Sequence, residues 1–271
     1  NSEKYLINTF GCQLAESNKK LLKGKYYGEP KLDGIRVLTI LDKEKNTVKQ
    51  LSRSGKQLNN FTHLLEGFEK FLEKIPGSIV IDGEVTSRTF QELMTQVNRK
   101  KDVNASDAKY AVFDVIPLNE FINNKSEKTL KERHDVLINM QGIFQEIFGS
   151  YVYLIEKKIF DFDDPLNDFN DFVSDTIKAG YEGVIIKDPN SLYKTKKTND
   201  WIKWKPDITV DLCVVDVKEG TGKNKNKLGN LVCKGLYEDK EIYVSVGSGY
   251  TDKQRQDIWK EKENIINQII E

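Results

Sequence analysis

The amino-acid sequence predicts an α+β fold in two parts, a larger region of mixed strands and helices followed by a small β-barrel. Three observations predict it. Between about Gly24 and Pro206, strand-like and helix-like segments alternate. After Pro206 the texture changes to short strands separated by turn-rich pieces. The 271 residues, 38% of them hydrophobic, suffice for two modest cores. The parts are accordingly set at residues 1–206 and 207–271.

Each element has its own signal. Residues 35–41 (IRVLTIL) form a β-branched strand, DKEKN a turn, and residues 47–53 the returning arm. Phe61, Leu64, Leu65, Phe68, Phe71, Leu72 and Ile75 fall at helical spacing, with Asn60 as the expected cap and Pro76-Gly77 as the stop. Residues 78–85 are a further strand region. Thr89 with Glu92 predicts a capping box that opens a helix through 91–99. Residues 109–116 (KYAVFDVI) predict a buried strand, and Thr129 with Glu132 caps a long helix ending near Phe148. Residues 151–160, a helix near 166–179 closed by Gly180, and residues 184–187 complete the first part. Strands at 212–217, 230–235 and 241–246 then precede a terminal helix opened by Thr251 with Gln254.

Composition narrows the function classes. Forty-two basic and 42 acidic residues give zero formal net charge, which excludes a wholly basic nucleic-acid coat but not a local basic face. Three widely separated cysteines exclude a four-cysteine zinc site and make a reducing, intracellular setting the expectation. No apolar run reaches membrane-spanning length, and no leader of the secretory type is evident. His63 and His134 both fall in helical segments and are expected to be structural or exposed.

The sharpest motif is Glu29-Pro30-Lys31-Leu32-Asp33-Gly34-Ile35-Arg36. It sets a lysine at the mouth of an Asp-Gly turn leading into a strand. An amine held there, desolvated and ringed by other cations, has a lowered pKa and a lone pair free to act as a nucleophile. Taken alone, the same residues fit a surface hairpin turn with two solvated charges.

Further motifs follow in a fixed order. They are Ser52-Arg53-Ser54-Gly55, Asp82-Gly83-Glu84, Tyr110-Ala111-Val112-Phe113-Asp114, Glu182-Gly183-Val184-Ile185-Ile186-Lys187 and Trp201-Ile202-Lys203-Trp204-Lys205-Pro206. On these residues the chain resembles the ATP-dependent DNA ligases, within the covalent nucleotidyltransferase superfamily that also holds RNA ligases and capping enzymes. The resemblance implies an ATP-grasp-like nucleotidyltransferase domain followed by an OB-fold barrel. It also implies ATP-driven sealing of 3′-hydroxyl/5′-phosphate nicks in duplex DNA, through AMP carried covalently on Lys31. Lys203 and Lys205 then contact the α-phosphate; on a strand, their i, i+2 spacing puts both amines on one face. Lys187 joins that cationic group.

Glu84 holds the ribose or magnesium by the same resemblance, and Glu182 holds magnesium. Glu29 contacts the adenine edge and Phe113 stacks on the ring. Arg36 and Arg53 match contacts to the ribose and to the 5′-phosphate of the nick. In the second part, Lys223, Lys225 and Lys227 alternate with small polar residues on a loop suited to following a DNA backbone. A solvated hairpin tip fits these three lysines as well. The family's final basic motif is not reached before Ile269-Ile270-Glu271, so the barrel is expected to be incomplete at its C-terminus. The expected state is a monomer. An RNA ligase, a capping-type nucleotidyltransferase and a non-catalytic nucleic-acid clamp of the same fold are the alternatives.

Overall fold

The computed structural model describes residues 10–17, 21–89, 103–205, 210–237 and 239–270. The chain divides into two compact units, 1–205 and 206–271.

The first unit holds two five-stranded sheets. One is built from β3 (Ile35–Asp42), β4 (Thr47–Ser52), β5 (Ile79–Thr86), β6 (Lys109–Pro117) and β7 (Val152–Leu154), in the order β4-β3-β5-β6-β7. The other contains β1 (Leu14–Glu16), β2 (Lys25–Pro30), β8 (Lys158–Asp161), β9 (Val184–Lys187) and β10 (Lys197–Trp204), in the order β1-β10-β9-β2-β8. Pairing is antiparallel except at two edges, where β1 runs parallel to β10 and β7 parallel to β6.

The apolar run in β3 lacks clean alternation because both of its faces are buried. Val37 and Leu41 pack toward helices α1 (Thr62–Lys74) and α3 (Leu130–Phe148), with Phe68, Phe71, Phe144 and Phe148. Leu38 and Ile40 share a second core with Ala15, Phe113 and Trp201, so the two sheets meet there. Between β6 and α3 lies the short α2 (Leu118–Asn123). Behind the other sheet, Val184, Ile186 and Ile202 pack on Phe160, Phe169 and Val173, the last two from α4 (Phe169–Lys178).

Several expectations change in detail. Asn60 does not cap α1. Its amide donates to the Val103 carbonyl at 2.8 Å, and the Thr62 N–H is received instead by Asn104 Oδ1 at 3.0 Å. Residues 151–160 split into β7 and β8, which belong to different sheets. The helix expected from 166 begins at Phe169, because Asp164 and Asn167 use their side chains to receive the N–H groups of Leu166 and Phe169 in turns. The capping box at Thr129 and Glu132 is present, with both reciprocal bonds made. The helix expected through 91–99, with Glu92, lies outside the described residues.

The second unit is an antiparallel four-stranded sheet, β13-β12-β11-β14, from β11 (Leu212–Glu219), β12 (Leu228–Tyr237), β13 (Lys240–Val246) and β14 (Ile269–Ile270). Among the described residues it is open, with β13 and β14 at its edges. Its core of Val214, Val217, Leu228, Leu231 and Cys233 is covered by Ile258 and Trp259 of α5 (Asp252–Lys260) and Ile265 of α6 (Lys262–Ile265). Thr251 and Gln254 form the expected capping box on α5. No helix among the described residues is long and apolar enough to cross a membrane.

Candidate active site

Lys31 lies between β2 and β3, and those strands belong to different sheets. The Lys-Leu-Asp-Gly segment is therefore a crossover from one sheet to the other, not a hairpin turn. Backbone contacts fix it. The Lys31 N–H donates to the Gly183 carbonyl at 2.9 Å. A Cβ on Gly34 would sit 2.3 Å from the Val85 carbonyl oxygen, and one on Gly183 only 2.4 Å from that of Trp204. Both glycines are needed because backbone passes backbone.

The crossover forms one wall of a cleft of about 630 Å³. Of the residues singled out from sequence, Glu29, Lys31, Arg36, Arg53, Glu84, Phe113, Lys187 and Lys203 line it. Strand register explains the assembly. Glu29 pairs with Ile185 and Ile185 with Lys203, forming one row across β2, β9 and β10. Lys187 and Trp201 form the next row. The alternating residues Val184, Ile186 and Ile202 point to the core behind. On the opposite sheet Arg36 lies directly across from Glu84. Phe113 has no partner in the β5–β6 ladder: Gly83 pairs with Val112 and Asp82 with Asp114, so Phe113 is a bulge residue aimed at the cleft.

Lys31 Nζ donates to Glu182 Oε2 at 2.6 Å, and Lys205 Nζ lies 2.9 Å from the same oxygen. These two lysines hold the Glu182 carboxyl down at about 2. Lys205 and Glu182 thus join the site through Lys31. Lys203 sits among Lys31, Lys197, Lys205 and Arg53; burial first, then these like charges, push its amine below the usual lysine range. Glu84 moves the other way. Burial raises its carboxyl to about 7, against the pull of Arg36 and Lys31.

The deep end carries more buried charge. Glu29 is 1% exposed, between two lysines. Lys157 Nζ donates to its Oε1 at 2.7 Å and to the Phe113 carbonyl at 3.0 Å. Lys187 Nζ lies 2.6 Å from Oε2, and the two lysines together hold the Glu29 carboxyl below its usual range against the effect of burial. The Lys187 ammonium rests 4.0 Å from the ring centres of both Phe113 and Trp201, and burial lowers it to about 8. The buried Trp201 indole N–H finds no acceptor among the described residues.

Arg36 is less free than expected of a ribose contact. Its Nε and Nη2 grip the two oxygens of fully buried Asp82 at 2.5 and 2.7 Å, and Nη2 also donates to the Gln13 carbonyl at 2.9 Å. Tyr193 adds its hydroxyl to Asp82 at 2.7 Å. Sequence reasoning gave Asp82 and Trp201 no role of their own and missed Lys157 altogether. The first two lay inside quoted motifs; Lys157 gave no signal beyond a charge in a strand-like run.

Lys223, Lys225 and Lys227 belong to the second unit, on the β11–β12 connection beside the short 3-10 turn Gly222–Asn224. Lys223 and Lys225 are exposed and Lys227 is half-buried. Among the described residues no group of three or more His, Cys, Asp or Glu side chains is placed to hold a metal by itself.

Comparison with known proteins agrees with this geometry. A family model described as the ATP dependent DNA ligase domain matches residues 7–205. A DNA ligase of Natronomonas pharaonis is 29% identical over 241 residues, covering 83% of this chain and 40% of that protein. The chain therefore spans about two fifths of that relative's length. The solved structure designated Pmar-Lig_PreS3 superposes with a TM-score of 0.82 at 36% identity, over 96% of this chain and 61% of that one. The ATP-dependent DNA ligase from bacteriophage T7, in complex with ATP, shares the fold with a TM-score of 0.60 at 19% identity, over 88% and 81% of the two chains. With most of its length matched by that model, this chain belongs to the ATP-dependent DNA ligase domain family.

Proposed function

We propose that this chain is the catalytic core of an ATP-dependent DNA ligase, sealing nicks in duplex DNA as a monomer. The observation that carries the reading is Lys31, pinned on a sheet-to-sheet crossover at the wall of a cleft that also presents Phe113, Trp201, Lys187 and Lys203. Residues 1–206 are read as the nucleotidyltransferase domain, and 207–271 as part of an OB-fold.

In this reading the base lies against Phe113, and the Glu29 carboxylate, which lines the cleft and can only accept, receives its exocyclic amine. Lys31 Nζ attacks the α-phosphorus in line and pyrophosphate leaves. The amine attacks in its neutral form, its proton released to solvent, and Glu182, hydrogen-bonded to it at 2.6 Å, orients it. Lys203, Lys205 and Lys187 neutralise charge developing on the α-phosphate. AMP then passes from Lys31 to the DNA 5′-phosphate, for which Arg53 is exposed and placed at the cleft. Attack by the 3′-hydroxyl releases AMP and closes the nick.

Magnesium is normally held by one or two carboxylates together with phosphate oxygens and water. Glu84 and Glu182 suit such a partial site, since each is an oxygen donor whose charge interacts with Lys31. When bound, the ion would neutralise phosphate charge. Lys223, Lys225 and Lys227 would track the DNA backbone.

Intact mass after incubation with ATP and magnesium tests the proposal, beside a Lys31→Ala control. One added adenylate, absent from the variant, is expected; none on the wild-type chain counts against self-charging. Competition between ATP and GTP, and between nicked DNA and nicked RNA, separates a DNA ligase from RNA-ligase or capping chemistry. Failure to seal a pre-adenylated nick leaves a non-catalytic clamp.

A further inference from the structure

We propose that Lys157 sets the base preference of the cleft: it pins Glu29 as an ionised, acceptor-only carboxylate, which selects a 6-aminopurine nucleotide over a 6-oxopurine one. The inference rests on reading the cleft as a nucleotide site and names a positioning residue within it.

The geometry separates the jobs of the two lysines beside Glu29. Lys187 is seated by the aromatic rings, 4.0 Å from each centre, and meets Glu29 Oε2 at 2.6 Å. Lys157 takes the other carboxylate oxygen, donating to Oε1 at 2.7 Å. Its second bond, 3.0 Å to the Phe113 carbonyl, ties the carboxylate to the backbone of the bulge that presents the ring. The Lys157 side chain is wholly buried, so no solvent competes for these donors. Lys157 stands on the link between β7 and β8, the passage from one sheet to the other. Its position is thus defined by both walls of the cleft.

The charge state of Glu29 decides what its carboxyl group can accept at the base edge. As a carboxylate it can only accept, which suits a 6-amino group and opposes a 6-oxo group, lone pair to lone pair. As a neutral acid it could donate, and the discrimination would vanish. Lys157 and Lys187 together make the ionised form the stable one in this buried place. The other titratable groups near this cluster are Asp114 on β6, itself paired with Arg133, and His134 and Asp135 on α3. Removing Lys157 takes away one of the two cations that hold Glu29 ionised, together with its tie to the Phe113 backbone.

Equilibrium binding of AMP and IMP to the full chain, by titration calorimetry, tests this directly and requires no turnover. The wild-type chain is expected to favour AMP by about tenfold or more, the discrimination of one hydrogen bond to a charged group. Lys157→Met should shrink the AMP/IMP ratio about tenfold. Glu29→Gln should shrink it as well, because an amide presents a donor beside its acceptor. If the methionine variant does not fold, Lys157→Gln serves, keeping a donor while losing the charge. Equal weakening of both nucleotides, or an unchanged ratio, would show Lys157 to be only a packing element and overturn the assignment. A wild-type chain that binds neither nucleotide refutes the nucleotide site itself, and this inference with it.

Discussion

Replacing Asp82 with asparagine should cost this chain a large part of its stability. Asp82 is fully buried and receives three hydrogen bonds, two from Arg36 and one from Tyr193. Asparagine keeps the shape but removes the charge and turns one acceptor into a donor facing the guanidinium. Arg36 cannot shed its proton, and its side chain is only 15% exposed, so solvent gives little compensation. The rings of Phe113 at 4.9 Å and Trp201 at 5.5 Å offer partial relief. Breaking one side of a buried pair costs roughly 3–5 kcal/mol, against about 5–15 kcal/mol for a whole domain. Urea titration followed by tryptophan fluorescence measures it, since Trp201 and Trp204 belong to the first unit. A double variant, Arg36→Met with Asp82→Leu, should regain most of the loss, because no charge is then stranded. A loss below about 1 kcal/mol for Asp82→Asn would refute the claim that the pair is buried and mutually dependent.

Three other changes have defined outcomes. With its carboxyl raised from 4.5 to about 7, Glu84 keeps a proton in the native state that the unfolded chain releases, so stability should fall as pH rises across that window. Glu84→Gln should therefore change little at pH 4 and stabilise by up to about 2–3 kcal/mol at pH 8 in urea titrations; an equal effect at both pH values contradicts the shift. Gly34→Ala would place a methyl 2.3 Å from a backbone oxygen, displacing the crossover and slowing adenylation of Lys31 by about tenfold or more in a mass assay. Wild-type charging by that variant would mean the crossover tolerates movement. Changing Lys223, Lys225 and Lys227 together to glutamine should lower the salt slope of nicked-duplex binding by up to about 3, read by fluorescence anisotropy. An unaltered slope would remove the loop from the interface.

The sequence carried the residues of the cleft more readily than their connections. Strand and helix order was legible wherever one stretch held its own signal, as in the boxes at Thr129–Glu132 and Thr251–Gln254. The Asn60 cap failed because a competing acceptor arrives from 42 residues away, with Asn104 taking the Thr62 N–H. Lys157 and Glu29 are 128 residues apart, and a lysine within a strand-like run looks the same whether it faces water or a buried carboxylate. The crossover at Lys31 resembled a hairpin because an Asp-Gly turn serves both uses. Only pairing across β3–β5 and β2–β9 distinguishes them.

Those long connections also explain why so much charge can be buried beside one lysine. Burial alone would discharge these groups, and it does pull the Lys187 amine down and the Glu84 carboxyl up. Each cation is instead given a partner suited to its duty. Arg36 is fixed to Asp82 by two bonds, which holds it rigid and removes it from competition for Glu84. Lys187 is held by rings, which stabilise a cation without consuming its donors. Lys31 and Lys205 share one half-exposed carboxylate, Glu182, a contact that solvent weakens and that an arriving phosphate can replace. The strongest pairing therefore falls on the residue that must stay still, and the weakest on the amine that must be freed. In the proposed reaction, that grading lets one cleft be both rigid around the base and labile at the nucleophile.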